Sequence, residues 1–250
     1  MRLSFSISLM VAAVLVANAN TAATEVLFRQ GPFGKTYACI EDNAKKSFCI
    51  ATTEFTQGEW KKETGRESFD EKLTYSSRWD YLINDGNRFR SPDKPVTVSW
   101  EDAVKMLATA SARIGETVRL PTALEWETAA RAGTETKYFF GNDIALLPHY
   151  SWSRESFTEG SLHKVGSKAP NPWGLYDIYG NVWEWTSEGE LGEACYVGGR
   201  CQVRGGSWHI TADGWDSSFF KYYPSDYRGI SIGFRPVWIP KETNTQPSVY

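Results

Sequence analysis

Histidine and cysteine are scarce in this sequence: its 250 residues include three histidines and four cysteines. These side chains supply the nitrogen and sulfur ligands of zinc and non-haem iron sites. The histidines, His149, His163 and His209, have no metal-ligating spacing, and neither close pair of cysteines is a Cys-x-x-Cys motif. The sequence therefore argues against a zinc or iron site built on these residues.

Long basic runs are also missing. Lysine and arginine total 27 against 30 aspartate and glutamate residues, which gives a formal net charge of −3. Proteins that bind nucleic acid or anionic membranes concentrate positive charge on one surface. We therefore expect neither nucleic acid nor an anionic membrane as a partner.

The one marked apolar run, residues 7–17, is too short to span a bilayer permanently. It follows a positively charged N-terminus, as in a secretory signal peptide. Small residues predict cleavage after Ala19 or, as a second choice, after Ala23, and no cysteine follows to carry a lipid anchor. We expect a periplasmic or secreted protein without a membrane anchor. The expected organisation is a signal peptide at 1–19, a single domain at 20–240 and a disordered tail at 241–250.

The four cysteines form two close sequence pairs, Cys39 with Cys49 and Cys195 with Cys201. In an oxidising compartment this pattern favours two local disulfides among the three possible connectivities. A redox-active thiol pair and thiolate metal ligands are the alternatives. Each bridge would close a short loop and stabilise the fold by about 2 to 3 kcal/mol.

Three segments carry a Thr or Ser followed three residues later by an acidic residue, a pattern that caps helix N-termini. They predict helices over 57–64, 100–114 and 123–132, each ended by a glycine. Beyond Gly133 the chain is rich in Gly, Pro, Trp and Tyr, which predicts short strands joined by long ordered loops. In the second helix, spacing predicts one buried face, formed by Val104, Leu107, Ala108, Ser111 and Ile114.

Several sparse motifs occur in a fixed order along residues 48–236. The most distinctive are 119–133 (RLPTALEWETAARAG), 171–185 (NPWGLYDIYGNVWEW), 204–208 (RGGSW) and 232–235 (IGFR). Together they resemble the formylglycine-generating enzyme, or sulfatase-modifying factor, family. The resemblance implies an α+β protein with the C-type-lectin-like fold of that family and little regular secondary structure.

The chain departs from the family where the oxidases carry a pair of copper-binding cysteines shortly after the RGGS element. No cysteine lies between Ser207 and Arg235, and the nearest positions are Ile210 and Trp215. Neither residue can ligate copper, so we expect no copper and no formylglycine generation.

The resemblance also implies a structural calcium ion in the 171–185 element. Its ligands would be the carboxylates of Asp177 and Glu184 and the backbone carbonyls of Gly180 and Val182, a hard oxygen set of the kind that calcium prefers. The alternative is that Asp177 caps a turn while Glu184 pairs with Arg204 or another cation.

A pocket or recognition surface is expected between the RGGSW and IGFR elements. Trp183 and Ser207 match pocket-lining positions of the family, and Ser231 replaces an Asn that is frequent there. The neighbouring segment is dense in aromatic residues that suit recognition of a partner. The alternative is that many of them pack in the core, which the sequence alone does not decide. The remaining binding candidates are Trp208, Trp215, Tyr222, Tyr223 and Tyr227.

His209, Asp213 and Asp216 are the candidate catalytic residues, because they would supply a general acid and base if they converge. The alternative is that they form turns or surface contacts. We therefore carry two hypotheses. The first is a non-catalytic module that binds an extracytoplasmic protein or small ligand, for example as an accessory or immunity protein of a secreted effector. The second is a PvdO-like periplasmic oxidoreductase in a biosynthetic pathway.

Overall fold

The computed structural model describes residues 12–15, 25–41, 47–68, 88–154, 161–188, 194–195, 198–211 and 215–241. The helices in these ranges are α1 (Gln57–Thr64), α2 (Trp100–Ile114), α3 (Ala123–Arg131) and α4 (Leu147–Tyr150), with short 3-10 turns at Pro32–Gly34 and Ile144–Leu146. The strands are β1 (Ala12–Leu15), β2 (Glu25–Gln30), β3 (Thr36–Glu41), β4 (Ser47–Ala51), β5 (Thr117–Arg119), β6 (Ser151–Trp152), β7 (Tyr179–Gly180), β8 (Trp183–Trp185), β9 (Arg200–Arg204), β10 (Phe220–Pro224), β11 (Ile232–Gly233) and β12 (Val237–Ile239).

The first three helices begin where the capping pattern predicts. Thr56 and Thr122 each accept from the backbone N–H three residues on, and the glutamates at those positions bond back to the cap. Such reciprocal bonds satisfy backbone donors that a helix start leaves unpaired. The third helix ends at Arg131, one residue before the predicted end, because Ala132 adopts the left-handed conformation with φ 48°.

The predicted buried face of α2 is confirmed at Leu107 and at the half-buried Val104 and Ser111, but it is wrong at its other two residues. Ile114 is 37 % exposed and Ala108 is exposed, whereas Leu107 is buried as expected. The indole Nε1 of Trp100 donates to the carbonyl of Thr186 at 3.1 Å, which fixes the first turn against the interior and sets the face that follows. The buried residues of α2 are Trp100, Ala103, Met106, Leu107 and Ala110.

Two main sheets organise the chain. The larger has the strand order β1-β2-β3-β4-β12-β5, and its paired neighbours are antiparallel. The smaller has the order β10-β9-β8-β11, and β6 and β7 form a short parallel pair. Long irregular segments join these elements, so the α+β class and the sparse regular structure are confirmed.

Both predicted disulfides are present. Cys39 and Cys49 lie directly opposite each other on β3 and β4, and their sulfurs are bonded. Cys195 and Cys201 are bonded as well, so all four cysteines of the sequence are paired. In this state no cysteine thiolate is left to ligate a metal ion.

Buried tryptophans in the second half of the chain form hydrogen bonds that hold its segments in place. Trp185 donates from its indole Nε1 to the carbonyl of Val98 at 2.9 Å, and Trp126 on α3 donates to Glu184 at 2.6 Å. A buried indole N–H needs a partner, so each bond fixes the position of its loop.

Four residues of the N-terminal apolar run are described. They form β1, which pairs with β2 so that Ala12 faces Phe28 and Val14 faces Val26. Among the described residues, no helix is long and apolar enough to cross a membrane. The predicted cleavage site and residues 242–250 of the predicted tail lie outside the described residues, so the signal peptide and the domain limits stay predictions.

Candidate functional site

The centre of the candidate site is a buried ion pair between Arg235 and Glu184. Arg235 donates from Nε to Oε2 of Glu184 at 2.7 Å and from Nη2 to Oε1 at 2.6 Å. Neither side chain is more than 1 % exposed. Such a two-pronged contact matches the planar guanidinium to the carboxylate and is among the stronger hydrogen-bonded pairs in proteins. It joins the 171–185 element to the IGFR element.

Two further carboxylates lie near this pair. Glu54 is fully buried and accepts from Nδ2 of Asn181 at 2.8 Å, while Oδ2 of Asp177 accepts from the backbone N–H of Gly166 at 2.6 Å. Burial raises the pKa of Asp177 to about 6, and the negative charge of Glu184 adds to the shift. Burial also raises the pKa of Glu54, with the charges of Asp177 and Glu184 contributing. Among the three carboxylates, the guanidinium of Arg235 is hydrogen-bonded to Glu184 alone, and its charge partly offsets the rise in the pKa of the other two carboxyls.

This arrangement fits the calcium ion that the sequence predicts. Oδ1 of Asp177 is buried and has no hydrogen-bond partner. Oε1 of Glu184 accepts from Arg235 and retains capacity for a second contact, since each carboxylate oxygen has two lone pairs. A cation held by Asp177, Glu184 and the carbonyls of Gly180 and Val182 would also offset the excess buried negative charge. Calcium binding stays a prediction.

The alternative partners named for these residues are partly observed. Glu184 pairs with Arg235, whereas Arg204 pairs with Glu127 at 3.1 Å. No group of three His, Cys, Asp or Glu side chains among the described residues is placed to hold a metal ion. The expected calcium shell has two carboxylates and depends on carbonyls for the rest.

Ile210 and Trp215, the two residues expected nearest to the oxidases' cysteine positions, both have apolar side chains. Ile210 is half-buried, and Trp215 is buried at 2 % exposure. The indole of Trp215 packs so closely on Gly206 that a Cβ added there would lie 2.6 Å from Cζ2. Its ring centroid is 6.5 Å from that of Trp183. The indole therefore fills space beside the RGGSW element.

The candidate catalytic residues have separate surroundings. Nδ1 of His209 lies 3.0 Å from Oγ of Ser207, and burial, followed by the charge of Lys221, lowers the pKa of His209 to about 4. Asp216 instead accepts from the N–H and hydroxyl of Ser218 at 2.7 and 2.6 Å, which is a turn contact. Asp213 lies outside the described residues. Asp216 therefore forms a turn, as the alternative predicted, and His209 is the described candidate whose contacts are compatible with catalysis.

The aromatic binding candidates divide by burial. Five of the eight named binding residues are buried, so they belong to the interior and not to an exposed recognition surface. They are Trp183, Ser207, Trp208, Trp215 and Ser231. Tyr222, Tyr223 and Tyr227 are half-buried, and the rings of Tyr223 and Tyr227 are 4.7 Å apart. Phe220 on the same strand is 44 % exposed, although it was not named as a candidate.

The sequence did not single out Glu54, Trp126, Asn181 or Arg235 as site residues. Glu54 and Asn181 are 127 positions apart, so no local pattern connects them. Trp126, Asn181 and Arg235 lie inside the distinctive motifs, which is the signal that could have found them, whereas Glu54 lies outside those four motifs.

A comparison with protein families decides the assignment. The Sulfatase-modifying factor enzyme 1-like domain matches residues 11–239. The chain belongs to this family. Within it, the chain is 35 % identical over 111 residues to the formylglycine-generating enzyme of Thermomonospora curvata, covering 39 % of this chain and 34 % of that protein. It is 37 % identical over 131 residues to the inactive C-alpha-formylglycine-generating enzyme 2 of Mus musculus, covering 48 % and 39 %.

The chain thus spans between a third and two fifths of the length of these sulfatase-modifying factor relatives. Solved structures match it over more of its length. The variable protein 1 of Treponema denticola has a TM-score of 0.64 and 21 % identity, covering 92 % of this chain and 99 % of that one. PvdO from Pseudomonas aeruginosa has a TM-score of 0.60 and 21 % identity, covering 92 % and 91 %. The predicted C-type-lectin-like fold of the family is confirmed.

Proposed function

We propose that this chain is an exported, non-catalytic member of the sulfatase-modifying factor family that binds another protein or a small ligand. The observation that supports the proposal is that Ile210 and Trp215, the residues expected nearest to the oxidases' cysteine positions, are apolar and at least half-buried. A copper-thiolate centre needs ionised cysteine sulfurs. All four cysteines of the sequence form disulfides, so no thiolate remains for copper.

Export is proposed from the apolar N-terminal run and the disulfides. Disulfides persist in oxidising compartments and are rare in the bacterial cytosol. A periplasmic or extracellular location would also place the protein in contact with extracytoplasmic partners. A role as an accessory or immunity protein of a secreted effector is one specific form of this proposal.

The surface that supports partner binding lies on β10, which pairs with β9 in the smaller sheet. Phe220 is 44 % exposed and its ring is 5.3 Å from that of Tyr222. The guanidinium of Arg204, which is buried and paired with Glu127, lies against the Phe220 ring at 5.7 Å and supports that ring from the interior. Rigid aromatic side chains are prominent among the residues that dominate binding energy at protein interfaces.

Calcium belongs to the same proposal as a structural ion. It would fix Asp177 and Glu184 and hold the loop that carries Gly180 and Val182 in one conformation. In this role it contributes no redox chemistry and organises the loops next to the RGGSW element.

The test is affinity capture of the tagged protein from its own cell envelope, with and without a calcium chelator. We expect one stoichiometric partner, whose capture is lost on combined Phe220→Ala and Tyr222→Ala substitution, because these two rings share one face of β10. Leu124→Ala is the matched control, because Leu124 is an exposed apolar residue on α3, at 69 % exposure. Equal capture by both variants would reject the surface, and conversion of a substrate cysteine to formylglycine would reject the non-catalytic assignment.

The second candidate function is a PvdO-like oxidoreductase of a biosynthetic pathway. The contact between Ser207 and His209 favours it, because a hydroxyl within hydrogen-bond distance of an imidazole is the arrangement in which a base activates a hydroxyl. The low pKa of His209 makes it a weak base at neutral pH, so such a role requires the substrate to raise that pKa. Loss of the pathway product in a His209→Ala strain with normal protein abundance would support this candidate. An unchanged product would count against it.

A further inference from the structure

The outer edge of β2 is covered by an apolar strand that the sequence predicts will be removed. β1 runs antiparallel to β2, with the pairs Ala12–Phe28, Ala13–Leu27, Val14–Val26 and Leu15–Glu25. Cleavage after Ala19 would separate β1 from the mature protein. β2 would then become the end of the larger sheet, next to β3.

The backbone groups on this edge can be assigned from the hairpin that joins β2 to β3. Gly31 donates from its backbone N–H to the carbonyl of Lys35 at 3.0 Å, so Gly31 faces β3. Successive residues of a strand direct their N–H and C=O groups to opposite sides. Leu27 therefore faces β3, while Val26 and Phe28 face β1.

This edge carries two charged residues, Glu25 and Arg29, but it lacks the proline and the bulge that keep other sheet edges from pairing. Residues 25–30 (EVLFRQ) contain no proline, and the residues facing β1 alternate regularly without a bulge. Val26 is 1 % exposed and Phe28 packs against the core around Trp173, so the side chains of β2 anchor the strand to the interior. A fixed, extended strand with an apolar centre is a template for another strand.

We propose that β2 of the processed protein is a docking site for an extended, uncharged apolar segment of a partner protein, which adds antiparallel in the register of β1. The chain itself supplies the argument for this occupant, because its own residues 12–15 (AAVL) pair there through four successive positions. The site is separate from the aromatic surface on β10 and does not depend on it.

The experiment starts with protein purified from its own cells, whose N-terminus is determined by mass spectrometry. The probe is a labelled synthetic peptide of residues 10–17 with lysines added at its ends for solubility. We expect the peptide to bind in a fluorescence polarisation assay. It should also slow hydrogen exchange of the Val26 and Phe28 amides about tenfold or more, without comparable change on β10.

Two peptide variants make the test specific for register and leave the protein unchanged. Val14 directs its N–H towards β2, so N-methylation at Val14 should weaken binding about tenfold or more. Ala13 directs its N–H away, so the matched N-methylation at Ala13 should leave the affinity within about threefold. The two peptides have the same composition, which separates backbone pairing from apolar adhesion.

Four outcomes would overturn the proposal. They are a purified protein that retains residues 12–15, edge amides protected before peptide is added, equal binding of the two methylated peptides, and protection that depends on protein concentration. The last would identify a second copy of the chain as the occupant. Loss of capture on substitution of Phe220 and Tyr222 would test the proposed function alone and leave this result unaffected.

Discussion

Replacing Arg235 by methionine would remove the cation at the centre of the buried carboxylate cluster. The guanidinium makes five hydrogen bonds, two with Glu184 and three with the carbonyls of Ala51, Thr52 and Tyr176. Removing one partner of a buried pair costs about 3 to 5 kcal/mol, because the remaining charge is left uncompensated. We therefore expect the free energy of unfolding to fall by about 4 kcal/mol.

Urea unfolding followed by tryptophan fluorescence would measure this loss with the disulfides intact. A chain of this size has a urea slope of about 2 to 3 kcal/mol per molar, so the midpoint should fall by about 1.5 M. Arg113→Met is the matched control. Arg113 pairs with Glu63 but is 60 % exposed, so its loss should cost at most about 1 kcal/mol.

A second variant would separate lost packing from uncompensated charge. Adding Glu184→Gln to Arg235→Met neutralises the orphaned carboxylate and should recover about 1 to 3 kcal/mol. If Arg235→Met were no more damaging than Arg113→Met, the ion pair would not hold the two motifs together. If Glu184→Gln gave no recovery, charge would not be the cause of the loss.

Three other predictions follow from the site. Chelation at pH 7.5 should lower the melting temperature by about 5 °C or more in the parent protein and leave the Asp177→Asn variant unaffected. Burial lowers the pKa of folded His209 to about 4, whereas a histidine in the unfolded chain has a pKa of about 6.5. The unfolded state therefore binds a proton first, and the free energy of unfolding should fall as the pH drops from about 6.5 through 4. NMR titration of the ring protons of His209, and a flatter pH profile of stability in His209→Gln, would check this. Gly206→Ala should cost about 1 to 3 kcal/mol more than Gly34→Ala in urea unfolding, because both glycines have positive φ but only Gly206 would place a Cβ against Trp215; equal costs would contradict the tight packing.

The helices and disulfides could be predicted because their signals are local. A capping residue such as Thr56 and its glutamate lie within one turn, and Cys39 and Cys49 are ten residues apart. The buried face of α2 could not be predicted from a local signal of this kind. Its apolar residues cover more than one side, and the contact from Trp100 to Thr186 that selects the face joins residues 86 positions apart.

The sequence predicted which motifs form the candidate site, but it did not predict which side chains contact each other there. The sequence named Glu184 and the IGFR element, yet it gave no indication that Arg235 supplies the cation for Glu184. Exposure was the weaker part of the prediction, because Trp208 and Tyr222 are both aromatic and differ only in how the chain folds around them. Burial of that kind depends on tertiary contacts, which a pattern of residue types does not contain.

The position of β12 has a consequence for the order of folding. This strand comes last along the described chain, yet it lies between β4 and β5, with Trp238 facing both Cys49 and Val118. The strands of the larger sheet therefore cannot all pair until nearly the whole polypeptide has been synthesised. If the protein is exported as proposed, a chain that enters a narrow channel before β12 has been synthesised still lacks the strand that joins β4 to β5, so it can enter without a completed sheet.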